Sequence, residues 1–173
     1  MIKFDNSYSN LPEAFFSKIS PRKAPSPQFI HKNLSLANQL NIDPILLSGE
    51  KIVKYFSGNS TLEGSDPIAM VYAGYQFGHF VPQLGDGRAI LLGETIDRNG
   101  VRQDIQLKGS GRTPYSRGGD GLSPLGPVIR EYLVSEALNK LNIQTTRSLA
   151  AVSTGDSVYR ETELPGAILT RVA

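Results

Sequence analysis

The segment that most restricts this chain is a pair of alternating runs joined by a tight-turn signature. Arg88–Thr95 reads RAILLGET and Val101–Lys108 reads VRQDIQLK, with Asp97-Arg98-Asn99-Gly100 between them. Asn-Gly supplies the positive φ angles that a two-residue hairpin loop requires, so the two runs are predicted to pair as antiparallel strands. In the second run Ile105 and Leu107 share one face, which sends Gln106 and Lys108 to the other. Behind the hairpin comes a glycine-rich loop (109–126). Pro127 then opens PVIREYLVSEALNKLNI, where Ile129, Leu133, Ala137 and Leu141 recur every four residues, with Val134 and Leu138 widening that stripe. This spacing predicts an amphipathic helix that buries that face. SLAAVS, SVYRE and GAILTRVA follow as three short strand-like pieces. The predicted class is α+β, with a mostly antiparallel sheet and one main helix.

The first 66 residues read as a mostly helical N-terminal extension. LPEAFFSKI suits a short amphipathic helix, Pro21, Pro25 and Pro27 an extended linker, and HKNLSLANQLNI a second helix. Asp43 before Pro44 is an N-cap signal for PILLSGEKIVKYFSG, with Gly58 as its stop. Residues 67–80 (PIAMVYAGYQFGHF) are apolar with small residues between, and are predicted as a buried helix whose Tyr75, Phe77 and Phe80 are core aromatics. His31 and His79 are too far apart to suggest a metal pair, and His79 is expected to pack or to hydrogen-bond.

Composition matters here chiefly by exclusion. At 173 residues and 39% apolar, the chain can build a core. It holds no cysteine, which removes disulfides, thiolate zinc sites and thiol nucleophiles together. No apolar run nears the roughly 20 residues of a membrane helix, and MIKFDNSYSN lacks the apolar stretch of a signal peptide. A cytoplasmic protein without membrane contact is expected. A net charge of +2 is too small to argue for nucleic acid.

Ten of the 17 glycines lie between Gly85 and Gly126, and residues 108–130 hold Lys108, Arg112, Arg117 and Arg130 against a single acid, Asp120. Glycines beside cations suit a backbone that approaches an anion closely. Gly85-Asp86-Gly87-Arg88 entering a strand, Lys108 on the next and Glu131 on the helix follow the glycine loop, strand lysine and helix glutamate of the protein-kinase small lobe. On spacing alone a surface Lys–Glu pair on an unrelated sheet fits better, because the kinase G-x-G-x-x-G and V-A-I-K strings are missing.

The longer strings reverse that balance. AGYQFGHFVPQLGDGRAILLGE (73–94), QLKGSGRTPYSRGGDGLSPLGPVIREYLVSEAL (106–138), STGDSVYRE and PGAILTRVA closely resemble the selenoprotein O (SelO) family over at least residues 67–173. The resemblance implies a kinase-like fold that binds ATP in reverse and transfers AMP to the Ser, Thr or Tyr hydroxyls of protein substrates, assisted by Mg²⁺ or Mn²⁺. UMP transfer from UTP is the alternative, and a non-catalytic ATP-binding or interaction module is another. Carried over by position, it places Gly85, Gly87, Arg88, Lys108, Asp120, Gly121 and Arg171 at the nucleotide. Glu131 is the expected partner of Lys108, and Glu136 its rival. The two glutamates stand five residues apart, about 140° round a helix of roughly 3.6 residues per turn, so they cannot easily both face the lysine. The family's catalytic base and metal ligands match nothing in this chain, nor does its redox-active selenocysteine or cysteine. The chain therefore reads as an N-terminal portion, residues 67–173 being the nucleotide-binding small lobe, and as inactive alone.

Overall fold

A computed structural model describes Met1–Ala173. Its strands are β1 (Phe16–Lys18), β2 (Gln28–Lys32), β3 (Ile68–Met70), β4 (Gly74–Gln76), β5 (His79–Val81), β6 (Ala89–Ile96), β7 (Arg102–Lys108), β8 (Ser123–Pro124), β9 (Arg147–Tyr159) and β10 (Glu163–Val172). Its helices are α1 (Leu34–Gln39), α2 (Gly49–Phe56) and α3 (Leu125–Lys140). Every pairing is antiparallel. The main sheet is eight-stranded, in the order β1-β3-β6-β7-β10-β9-β2, with β8 on β10. This is the predicted α+β arrangement. No helix is long and apolar enough to cross a membrane.

The β6–β7 hairpin forms around Asp97–Gly100, where the Asp97 carboxylate accepts from the Asn99 and Val101 N–H groups at 2.8 and 2.9 Å. Ile105 and Leu107 are fully buried on one face and cluster with Leu36, Ile52 and Phe56 of α1 and α2 and with Leu40 and Leu47 of the segment between those helices. On the opposite face α3 lays Val128 and Tyr132 against Ala151, Ala167 and Leu169. The sheet is thus covered on both sides, and Lys108 emerges on the side that carries α3.

Four expectations are corrected. Residues 1–66 are not a mostly helical extension: β1 and β2 form the two edges of the main sheet. LPEAFFSKI makes only a 3-10 turn at Glu13–Phe15 before β1, because Phe16 is pulled into a buried cluster with Ile68 and Leu91. Asn33 caps α1 at 3.0 Å from the Leu36 N–H. Asp43 caps a 3-10 turn (Pro44–Leu47), and the helix resumes as α2 only after extended Ser48.

Residues 67–80 are not a helix either. Phe77 and Gly78 have φ of +53° and +79°, the geometry of a tight hairpin turn, so β4 and β5 pair there. That turn leaves Phe77 92% exposed, with Tyr75, Phe80 and His79 also in solvent, so these aromatics are not core and His79 is not packed. The face of α3 is likewise different: Val128, Tyr132 and Ser135 are buried, while Leu133, Val134 and Leu141 are exposed. Apolar residues occur all round this helix, so polar contacts decide its seat, among them Ser135 Oγ to Ser148 Oγ at 2.8 Å. Finally, SLAAVS and SVYRE are one strand, β9, that runs through Gly155 at φ +78°.

Candidate nucleotide site

Lys108 is the last residue of β7, opposite Ala89 on one side and Leu169 on the other. Its side chain is 20% exposed and its ammonium lies 2.5 Å from Glu131 Oε2 on α3. Arg171 stands on neighbouring β10, opposite Gln106. Its guanidinium donates to Gln106 Oε1 at 3.0 Å through Nε and lies 3.9 Å from Glu131 Oε1. Glu131 therefore holds two cations at once. Glu136 turns elsewhere: it accepts from Arg147 at 2.8 and 2.9 Å, from the Ser148 N–H at 3.0 Å and from Asn33 at 2.7 Å. Burial would raise its carboxyl, but the bonds from Arg147 and Ser148 outweigh it and hold the group below its ordinary value.

These side chains open on a cleft of about 440 Å³. Gly87, Arg88, Lys108, Asp120, Gly121 and Arg171 line it, as do Tyr72, Gln76, Asp86, Arg117 and Arg160. Gly85 lies behind the wall. Its φ of +66° and the Tyr115 ring, 2.7 Å from where a Cβ would stand, explain the glycine. At Gly87 a Cβ would meet the Tyr115 carbonyl oxygen at 2.9 Å. The Gly85 and Asp86 N–H groups are taken by Tyr72 O and Met70 O. The N–H groups of Gly87 and Arg88 have no protein acceptor and remain available to an anion.

The cations differ in how firmly they are held. Arg88 is exposed and meets no acid. Arg117, at φ +50°, donates to Gln76 Oε1 at 2.6 Å. Arg112 points away and braces its own loop through Gly118 O and Gly119 O. Asp120 accepts from Arg160 and from the Leu122 N–H, and the Arg160 bond above all holds its carboxyl below the ordinary value. Asp86 is 4% exposed and accepts from Tyr72 Oη at 3.0 Å and the Met70 N–H at 3.2 Å. Burial raises the Asp86 carboxyl despite those bonds, and burial beside Asp86 pushes the Tyr72 phenol up to about 12.

Divalent cations need several free oxygens. The carboxylates in and beneath the cleft are already engaged, Asp86 by Tyr72, Asp120 by Arg160 and Glu131 by Lys108. No three acidic or histidine side chains cluster to hold an ion. The residues present do not fit a metal, so no step is routed through one.

Further along the same sheet face, Asp104 on β7 stands opposite Glu94 on β6. The Glu94 carboxylate is satisfied by Ser7 and the Tyr8 N–H at 2.6–2.7 Å, whereas that of Asp104 accepts no hydrogen bond. Burial, then the Glu94 and Asp86 charges, push Asp104 up to about 6. Folded protein thus keeps this proton up to about pH 6, while unfolded chain releases it near pH 3.9. Stability contributed here is lost as pH rises between those values. Because Asp104 is only partly buried and solvent screens part of the shift, Asp104→Asn is expected to raise unfolding free energy by about 1–2 kcal/mol at pH 7 and by nothing below about pH 4. Urea melts at the two pH values check this, and a pH-independent difference contradicts it.

A family model described as protein adenylyltransferase SelO matches residues 1–173. The chain belongs to the SelO family. Among its relatives, the protein nucleotidyltransferase YdiU of Rhodopseudomonas palustris is 62% identical over 170 residues, 98% of this chain and 35% of that protein. YdiU of Brevibacillus brevis is 59% identical over 98% of this chain and 34% of its own length. This SelO-family chain therefore spans about a third of the relatives it matches.

Of the residues singled out by sequence, the structure brings Gly87, Arg88, Lys108, Asp120, Gly121 and Arg171 to one cleft, with Glu131 beneath and Gly85 outside the lining. Tyr72, Asp86 and Arg160 were not assigned roles by sequence. GDGR places Asp86 in the turn, but nothing local marks Tyr72 or Arg160.

Proposed function

We propose that this chain is the nucleotide-holding, kinase-like small lobe of a protein nucleotidyltransferase that moves AMP from ATP to Ser, Thr or Tyr hydroxyls of proteins. The observation that carries it is the 2.5 Å Lys108–Glu131 pair opening on a cleft lined by Gly87, Arg88 and Arg171. In AMP transfer the substrate hydroxyl oxygen bonds to the α-phosphorus, the bond to the β-phosphate bridging oxygen breaks, and pyrophosphate leaves. Negative charge grows on the departing β- and γ-phosphates, so cations preset around them lower the barrier. Lys108 and Arg171 suit that role because Glu131 and Gln106 fix their positions before substrate arrives. Arg88, with no acid to satisfy, is free to close on phosphate oxygens. The base that takes the hydroxyl proton is assigned to no residue of this chain.

UMP transfer is the second reading, because the groups assembled here address phosphate and are indifferent to the base. The test incubates the full-length protein with Mg²⁺ or Mn²⁺ and ATP or UTP labelled at either the α- or the γ-phosphate. Protein labelled from α-labelled ATP alone is the expected result. Label from UTP in its place selects uridylylation. Transfer of γ-label overturns nucleotidyl transfer, and binding without any transfer selects the non-catalytic module.

A further inference from the structure

A carboxylate is an awkward occupant of a polyphosphate site, since like charges repel across a shared cleft. Asp120 is such a group, lining the cleft with Lys108 and Arg171. Arg160, from the turn between β9 and β10, meets it with both terminal nitrogens, NH1 to Oδ2 at 2.7 Å and NH2 to Oδ1 at 3.0 Å. The same nitrogens also donate to Tyr159 O at 2.7 Å and Leu122 O at 3.1 Å. Three of these contacts tie residues 120–122 to a turn nearly forty residues later, and the fourth, to Tyr159 O, steadies the guanidinium on its own strand end. A guanidinium so occupied has no fork left for phosphate, which sets Arg160 apart from Arg88.

We infer that Arg160 is a positioning residue of the nucleotide site, cancelling the charge of Asp120 and fastening the glycine wall at 120–122 to the β9–β10 turn. This rests on the reading of the cleft as a polyphosphate site. Both side chains are 40% exposed, so solvent screens the pair and its effect is moderate.

The test measures α-labelled ATP transfer by the full-length protein. Arg160→Gln is expected to raise the ATP KM roughly fivefold and to leave kcat nearly unchanged, the signature of lost nucleotide binding. Asp120→Asn placed in the Arg160→Gln background removes the uncancelled charge and is expected to recover most of that KM. A merely structural brace predicts no recovery. A wild-type KM in Arg160→Gln, or a double variant no better than the single, overturns the inference. Should Arg160→Gln fail to fold, Arg160→Lys keeps the charge but cannot bridge both oxygens; a KM about twice wild type is expected there, and an unchanged one overturns the inference. If Lys108→Ala labels like wild type, or the wild type neither binds ATP nor takes label from it, the cleft reading itself falls. If Lys108→Ala is inactive and Arg160→Gln is unaffected, only the Arg160 assignment falls.

Discussion

Lys108→Ala is expected to lower nucleotide labelling about a hundredfold or more while leaving the fold intact, the scale seen when one preset charge-stabilising donor is removed from an active site. Two losses combine in it. The ammonium that the proposed function sets against the polyphosphate goes, and Glu131, 29% exposed, keeps a carboxylate 3.9 Å from Arg171 with no lysine to offset it. That carboxylate, left with Arg171 as its one cation, then faces the phosphates that the proposed function brings to the cleft. Glu131→Gln separates the two losses, because it keeps the lysine's charge but weakens the bond that fixes it. A drop of about tenfold is expected there, milder than in Lys108→Ala. Glu136→Gln is the contrast: its partners are Arg147, Asn33 and the Ser148 N–H, so it should lower the melting temperature and leave labelling of the folded protein close to wild type. Labelling and circular dichroism of the three variants decide the matter. Lys108→Ala that folds and labels at the wild-type rate sinks the role given to the lysine.

What could be read from sequence, and what could not, follows from the range of the interactions involved. The β6–β7 hairpin was legible because alternation and an Asn-Gly turn are local signals. Lys108 came with it, since strand parity alone sends it to the face opposite Ile105 and Leu107. β1 and β2, at three and five residues, carry almost no periodic signal. They exist because Phe16 finds Met70 opposite it, and Gln28 finds Ser153. For α3 the element was legible and its orientation was not, because apolar residues ring the helix and its seat depends on Glu131 and Glu136 finding Lys108 and Arg147. The 67–80 run failed through the same ambiguity: small and apolar residues suit a buried helix or a hairpin, and the turn at Phe77-Gly78 decides. Arg160 illustrates the limit at the site, since its partner Asp120 is brought near only by the β8–β10 and β9–β10 pairings.

Gly121→Ala is expected to destabilise the protein by about 3 kcal/mol or more, in the range of backbone strain compounded by overpacking. Gly121 holds φ at +70°, a region that a side chain enters at a cost. A Cβ there would stand 2.0 Å from the Gly111 carbonyl oxygen and 2.5 Å from the Arg112 nitrogen. Those atoms are backbone, so no rotamer change relieves the clash. The chain must open instead, against the Gly111 N–H to Gly121 O bond and the Ser110–Leu122 bridge that close the glycine loop. Gly126 supplies the control: it sits in α3 with nothing within 4 Å of its would-be Cβ, so alanine there is expected to be neutral or to stabilise by up to about 1 kcal/mol. For a chain of this length the Gly121 loss corresponds to a melting temperature lowered by roughly 10 °C. Because Asp120 and Leu122 move with that backbone, Gly121→Ala protein that stays folded should also bind ATP more weakly, whereas Gly126→Ala should bind it normally. Melting temperatures of the two variants within about 2 °C of each other would show that the loop yields without strain, and that the close approach of Gly111 to Gly121 does not set the wall of the cleft.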